Sequence, residues 1–235
     1  MRVEVLYPEI CNLFGDTMNA EFLRQCGAEI VKTSLKQRPR FLDGGIDLVY
    51  MGAMTESAQE RAIAALMPHA GQIRESVENG QTMLTTGNAS ELFGKEILCD
   101  DGKVIPALGV FGYWAKRQMM NRYNAVYLGK FGDVEIVGFK SQFSHTFGCE
   151  GYDPLFETVR GDGWHPGISG EGIRYRNFFG TYLIGPLLPL NPPFTKALMH
   201  TADGKEHALA FEQEAVAVYE KRVKEFNDPK TRIKF

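Results

Sequence analysis

Cysteine is scarce in this chain. The four that occur, Cys11, Cys26, Cys99 and Cys149, lie far apart with no C-x-x-C pair, which excludes a disulfide framework and a cysteine zinc site. They are expected as reduced thiols, mostly packing residues. Histidine is almost as rare, with five in 235 residues and no H-x-x-x-H spacing. His145, Asp162 and His165 therefore read as solvated loop residues, and no metal is expected. No apolar run reaches about 18 residues, which argues against membrane insertion. "MRVEVLYPEI" enters a strand at once with no basic and apolar leader, so a cytoplasmic protein is expected. The net charge of -3, from 26 basic and 29 acidic residues without a long single-sign block, argues against nucleic acid as a partner. Repeats, low-complexity segments and linkers are absent too, so residues 1–235 are expected to form a single domain.

What is present is enough for a substantial core, 44% hydrophobic and 11% aromatic. Short β-branched or aromatic runs predict strands at 3–6, 29–32, 47–51, 81–85, 126–128 and 134–139. Helical periodicity falls between several of them, at 19–26, 58–67 and 69–78. Strands alternating with helices predict an α/β sandwich with a mainly parallel central sheet. From Lys103 to Tyr182 the chain turns Gly-rich and aromatic, which predicts added antiparallel ribbons on the same sheet. A Pro-initiated helix is expected from 191 to 201, and a C-terminal helix at about 205–226 with Leu209, Glu212, Ala215, Val216, Tyr219 and Val223 on one side.

One stretch raises a chemical question. In "MLTTGNASELFG", residues 83 to 94, an apolar run enters a Gly87-Asn88 corner and leaves through a short helix closed by Gly94. Such a corner exposes one side chain beside the free N–H groups of a helix start, where a hydrolase places cysteine or serine. Here the place holds glycine.

Four stretches, in order, resemble the class I glutamine amidotransferase family. The branch is that of the lipid II isoglutaminyl synthase glutaminase subunit and the cobyric acid synthase amidotransferase domain. "LYPEICNLFGDTMNAEFL" resembles its first strand and loop through Asn12, Gly15, Asp16 and Asn19. "MGAMTESAQE" resembles its GGG-x-D-x-x-Q turn through Gly52, Glu56 and Gln59. "TTGNASELFG" resembles the elbow C-G-G-x-Q-x-x-G, and "GEGIRYRNFFGTYLIGPLLPLNPP" the signature E-G … G-T-Y-x-H-G-P-x-L-x-x-N-P. The flavodoxin-like fold of that family is implied over nearly the whole chain, with no bound cofactor.

The resemblance places the family nucleophile at Gly87 and the family histidine at Ile184. A glutaminase needs a thiolate, a proton-carrying imidazole and main-chain donors for the oxyanion, so the first two are missing here. The family's G-F-E-x-H-x-G-R-T stretch reads "GFKSQFSHTFG", putting Lys140, Gln142 and His145 where the family has glutamate, histidine and arginine. Ala53 replaces the middle glycine of the turn and Glu91 the elbow glutamine. A substrate arginine falls on Arg117 or Arg122. The expected ligand contacts are Gly52, Ala53, Asn88, Glu91 and Gln142, with main-chain donors still presented at Gly52, Ala53 and Asn88. The reading that follows is a homologue without glutaminase activity. It would serve as a binding or scaffolding subunit paired with a Mur-ligase-like synthetase, or else form a homo-oligomer that binds an amino-acid-like ligand. The competing reading is an active amidotransferase or hydrolase with relocated groups, for which Cys149 and His145 are the candidates. Cys11 reads as a small buried thiol, and Trp164, in a glycine-bearing loop, as an exposed aromatic and partner surface if unpaired.

Overall fold

The computed structural model describes residues 1–234. In chain order, β1 (Arg2–Leu6) leads to α1 (Thr17–Gln25), β2 (Glu29–Thr33) and β3 (Leu48–Met51). Next come α2 (Glu56–Leu66), α3 (Ala70–Glu78) and β4 (Thr82–Thr86), followed by a 3-10 helix at Gly87–Phe93. The middle of the chain supplies β5 (Glu96–Leu98), β6 (Val104–Pro106), β7 (Trp114–Arg117), β8 (Tyr123–Phe131), β9 (Val134–Gln142), β10 (Ser144–Phe147), β11 (Phe156–Arg160) and β12 (Gly170–Glu171). The last part holds β13 (Ile173–Tyr175), β14 (Phe178–Thr181), α4 (Leu187–Leu190), α5 (Pro192–Asp203) and α6 (Glu212–Asn227).

The main sheet has the order β13-β14-β4-β3-β1-β2. All its pairs are parallel except β13 with β14. Its central strands β14, β4, β3 and β1 are buried on both faces, and side-chain alternation sorts them between two core clusters. Val3, Val5, Leu48, Tyr50, Leu84 and Phe179 fall in one, and Leu6, Val49, Met51, Met83 and Phe178 in the other. Against the second cluster pack Ala58, Ala62, Ile63 and Leu66 of α2 and Ile73 and Val77 of α3. Against the first pack Phe22 and Leu23 of α1 and Phe194 and Leu198 of α5. Apolar residues three, four and seven or eight apart give each helix one buried stripe, which produces the three-layer sandwich expected from the sequence.

Two regions differ from expectation. The antiparallel ribbons do not extend the main sheet. They form two four-stranded sheets of their own, β10-β7-β5-β6 and β12-β11-β8-β9, and only β13 and β14 join the parallel one. Alternating hydrophobicity predicts strands but not which edge they seek. The C-terminal helix begins at Glu212, not near 205. Gly204, at φ +72°, caps α5, and Phe211, at φ +50°, turns the chain into α6. Leu209, buried in the core, anchors the stretch between the two helices. Among the described residues no helix is long and apolar enough to cross a membrane.

Candidate functional site

In an open α/β sheet the crevice lies beyond the carboxyl ends of the strands, and loops from neighbouring strands meet there. Here a cavity of about 180 Å³ sits at that edge. It is lined by Leu13 and Phe14 after β1, Ala53 to Glu56 after β3, Gly87 and Asn88 after β4, and Ile184 after β14. The antiparallel layer closes it with Arg122 before β8 and Ser141 to Ser144 at the turn from β9 to β10.

The elbow has the backbone of a nucleophile turn. Gly87 follows β4 directly at φ +60°, a left-handed conformation that only glycine adopts without cost. A Cβ at this position would stand 2.6 Å from the Ala53 Cβ and 3.3 Å from the Ile184 Cγ2. The positions that the resemblance assigns to the family nucleophile and histidine are therefore neighbours in space, and the volume where a reactive sulfur would begin is already filled.

Two side chains stitch the elbow to the turn after β3. The Asp16 carboxylate accepts from the Ala53 N–H at 2.9 Å and from the Thr86 hydroxyl at 2.6 Å. Asn88 accepts from the Met54 N–H at 3.0 Å and donates to the Met54 carbonyl at 2.8 Å. The expectation that Ala53 presents a free main-chain donor is thus corrected. Its N–H, like that of Met54, is consumed within the fold. Tight closure of this turn around Asp16, which the sequence pattern flagged without a role, is the physical reason.

Burial pushes the Asp16 carboxyl from its usual 3.8 up to about 6, against the opposing pull of its hydrogen bonds to Thr86 and Ala53. Because the folded value lies above the unfolded one, the protonated form is favoured by folding. This group's contribution is largest below about pH 4 and is lost as pH rises through 6. At ~1.4 kcal/mol per unit the span is on the order of 3 kcal/mol. A carbon-13 titration of the Asp16 carboxyl is expected to show a midpoint near 6. Urea unfolding should show roughly half of this span, about 1.3 kcal/mol, as added stability at pH 5 relative to pH 7, and Asp16→Asn should remove it.

The remaining expected contacts divide. Ala53, Asn88 and Gln142 line the cavity; Gly52 and Glu91 lie behind its wall. Gly52 is packed so that a Cβ would meet the Cys11 carbonyl oxygen at 3.0 Å and the Tyr50 hydroxyl at 3.1 Å. Glu91 is buried and accepts from Gln59 at 2.8 Å, from the Tyr182 hydroxyl at 2.9 Å and from the Ser144 hydroxyl, so it holds the wall rather than a ligand. Burial raises its pKa, with the Ser144 and Gln59 hydrogen bonds opposing.

The structure also separates the two arginines. Arg117 is buried on β7, donating to Gln59 at 2.7 Å with Glu60 at 3.6 Å. Arg122 stands exposed on the cavity rim, its guanidinium over the rings of Phe143 at 5.2 Å and Phe14 at 5.8 Å, its Nε donating to Ser141 at 3.0 Å. Phe14 reaches the rim from a left-handed backbone, φ +56°, a strain of ~1–2 kcal/mol in a non-glycine residue. Sequence reasoning missed Phe14, Phe143 and Ser141; no motif marks them, and only the convergence of three loops brings them together.

His145 and Cys149 take different partners. The imidazole lies 3.3 Å from the Gln142 amide and edge-on to Tyr123, whereas Cys149 is buried in the aromatic core. Burial pushes the Cys149 thiol up and the His145 imidazole down, both toward neutral forms. Trp164 is fully buried, edge-on to Tyr113 at 4.9 Å, contrary to an exposed partner surface. Cys11 is buried, its Sγ 3.8 Å from the Met54 sulfur.

A parallel sheet with an elbow after β4, a tight turn after β3 and a crevice at their carboxyl ends defines a glutamine amidotransferase-like protein. The chain belongs to the CobB/CobQ-like glutamine amidotransferase domain family, which it matches over residues 2–192. It is similar to the protein named lipid II isoglutaminyl synthase (glutamine-hydrolyzing) subunit GatD of Streptococcus pneumoniae (strain ATCC BAA-255 / R6). The two are 25% identical over 250 aligned residues, covering 100% of this chain and 94% of that one. The same-named subunit of Staphylococcus aureus (strain N315) is 25% identical over 195 residues, 81% of this chain and 79% of its own. Among solved structures, a glutamine amidotransferase superposes with a TM-score of 0.60 at 14% identity, over 85% of this chain and 98% of that one. PurLQS from Thermotoga maritima superposes with a TM-score of 0.56 at 13% identity, over 77% and 86%. At those identities the structural likenesses concern the fold.

Proposed function

We propose that this chain is a catalytically silent glutamine amidotransferase homologue that serves as a binding subunit beside an amide-forming, Mur-ligase-like synthetase. The observation that carries the reading is the filled elbow. A Cβ on residue 87 has no room beside Ala53, and the neighbouring family histidine position is the aliphatic Ile184. Covalent attack on a carboxamide needs a nucleophile and a proton carrier acting together, and the loss of either removes most of the rate. The engaged Ala53 N–H weakens oxyanion stabilisation as well.

The partner reading is supported by the relatives, whose printed name makes them subunits of a larger synthase. A cytoplasmic location accompanies an ATP-using partner. Relocated chemistry at Cys149 and His145 is disfavoured by the core position of the thiol. Two measurements test the reading. Ammonia release from glutamine is expected at the buffer rate and unchanged in Cys149→Ala. Affinity capture with the full chain is expected to retain a synthetase encoded nearby. Measured turnover that Cys149→Ala abolishes would overturn it.

A further inference from the structure

The elbow cavity is open and has an aliphatic floor. Its most buried walls are Ala53, Met54, Gly87 and Ile184, which offer aliphatic surface where the family turns over a carboxamide. The Ala53 and Met54 N–H groups cannot serve a ligand oxygen, since Asp16 and Asn88 occupy them. A carboxamide at the bottom would therefore find at most the Asn88 N–H in place of the water it gives up, a shortfall that disfavours it.

The rim is the opposite. The Arg122 guanidinium, flanked by two rings and fixed through its Nε, has no carboxylate within ion-pair distance among the described residues. Glu56, half-buried on the same cavity, also lacks an ion-pair partner among them. Gln142, 6% exposed, donates its amide N–H to the Ser144 carbonyl at 2.6 Å, which fixes the orientation of the amide and leaves Oε1 without a donor. A cation and an anion around an aliphatic floor match one molecule carrying a carboxylate, an ammonium and an apolar tail. The volume of about 180 Å³ lies below the ~300–1,000 Å³ range of drug-sized ligands, which restricts the occupant to amino-acid size.

We infer that the cavity binds a free α-amino acid with a linear apolar side chain, methionine or norleucine in shape, in preference to glutamine. This rests on the reading of a silent homologue and names its ligand class. The carboxylate meets Arg122, the ammonium pairs with Glu56, and the tail lies against Ala53 and Ile184.

Isothermal titration of the full chain with L-norleucine, L-methionine and L-glutamine tests it. Norleucine or methionine is expected to bind at least about tenfold more tightly than glutamine, the cost of one amide buried with too few partners. Arg122→Ala, an exposed position, is expected to weaken all three amino acids alike, and Ile184→Gln to shrink the preference to within about threefold. Ala53→Ser provides the same readout if Ile184→Gln does not fold. Glutamine binding as tightly as norleucine, heat from none of the three, or a preference unmoved by both floor variants would overturn the inference. None of these results touches the silent-homologue reading, which falls only if ammonia is released.

Discussion

Replacing Lys140 by methionine is expected to destabilise the protein by about 3–5 kcal/mol, the cost of removing one partner from a buried ion pair. The Lys140 ammonium is 1% exposed and paired with the fully buried Glu171 carboxylate. It also donates to the Asp162 carbonyl at 2.9 Å and the Gly163 carbonyl at 2.6 Å. Burial disfavours the charged lysine while Glu171 favours it, so the pair persists only as a pair. Glu171 meanwhile accepts from the Thr181 hydroxyl at 2.8 Å and the Tyr182 N–H at 2.7 Å, fixing the segment that delivers Ile184 to the cavity. Methionine would fill the volume but leave a carboxylate and two carbonyls unpaired. Adding Glu171→Gln should recover part of the loss, because its amide oxygen still accepts from Thr181 and Tyr182 without a charge. Urea denaturation followed by tryptophan fluorescence, with Trp164 next to the affected Gly163, measures both variants; a loss under ~1 kcal/mol for Lys140→Met would sink the argument.

Lys140 also marks where sequence reading reached its limit. The family resemblance located the charge change but not its partner 31 residues away on β12. Local patterns fared better with local structure. The parallel strands β1 to β4 were legible as short β-branched or aromatic runs, and α2, α3 and α5 through period-3.6 signals, whereas β14, which pairs parallel with β4, lay in the stretch read as antiparallel ribbons. The inward side of α6, with Ala215, Val216, Tyr219 and Val223 half-buried, was legible for the same reason, although its start was not. A backbone in the left-handed region at Phe211 leaves no trace in hydrophobic spacing.

The site was legible in outline through glycines and motif order. Gly87 and Ile184, 97 positions apart, do meet, at 3.3 Å from the Cβ that residue 87 lacks. The choice between Arg117 and Arg122 was not legible. Both flank strands of the antiparallel layer, and strand pairing alone turns one toward Gln59 and the other toward the rim. Trp164 shows the same limit, since a glycine-bearing loop reads as surface until Tyr113 and Tyr182 are seen to cover it.

Installing the missing dyad is expected to cost stability before it yields chemistry. Gly87→Cys would force an L side chain into a left-handed backbone, φ +60°, at ~1–2 kcal/mol. It would also set a Cβ against the Ala53 Cβ at 2.6 Å, closer than carbon atoms approach, adding ~1–3 kcal/mol of overpacking. The total, on the order of 2–5 kcal/mol, should appear as a lower urea midpoint with an unchanged slope. Ala53→Gly removes the obstructing methyl, so the double variant should regain the overpacking part and keep the backbone part. Ile184→His added to that pair supplies an imidazole at the adjacent position, yet the residue 53 N–H remains committed to Asp16. The triple variant should therefore fold with a reactive thiol, detectable by alkylation, while ammonia release stays at least about a hundredfold below that of an active glutaminase, the usual cost of one lost oxyanion donor. If Gly87→Cys alone is as stable as the natural chain, the elbow has space that the packing around Ala53 denies it. The proposed silent state would then rest only on the residue types at 87 and 184.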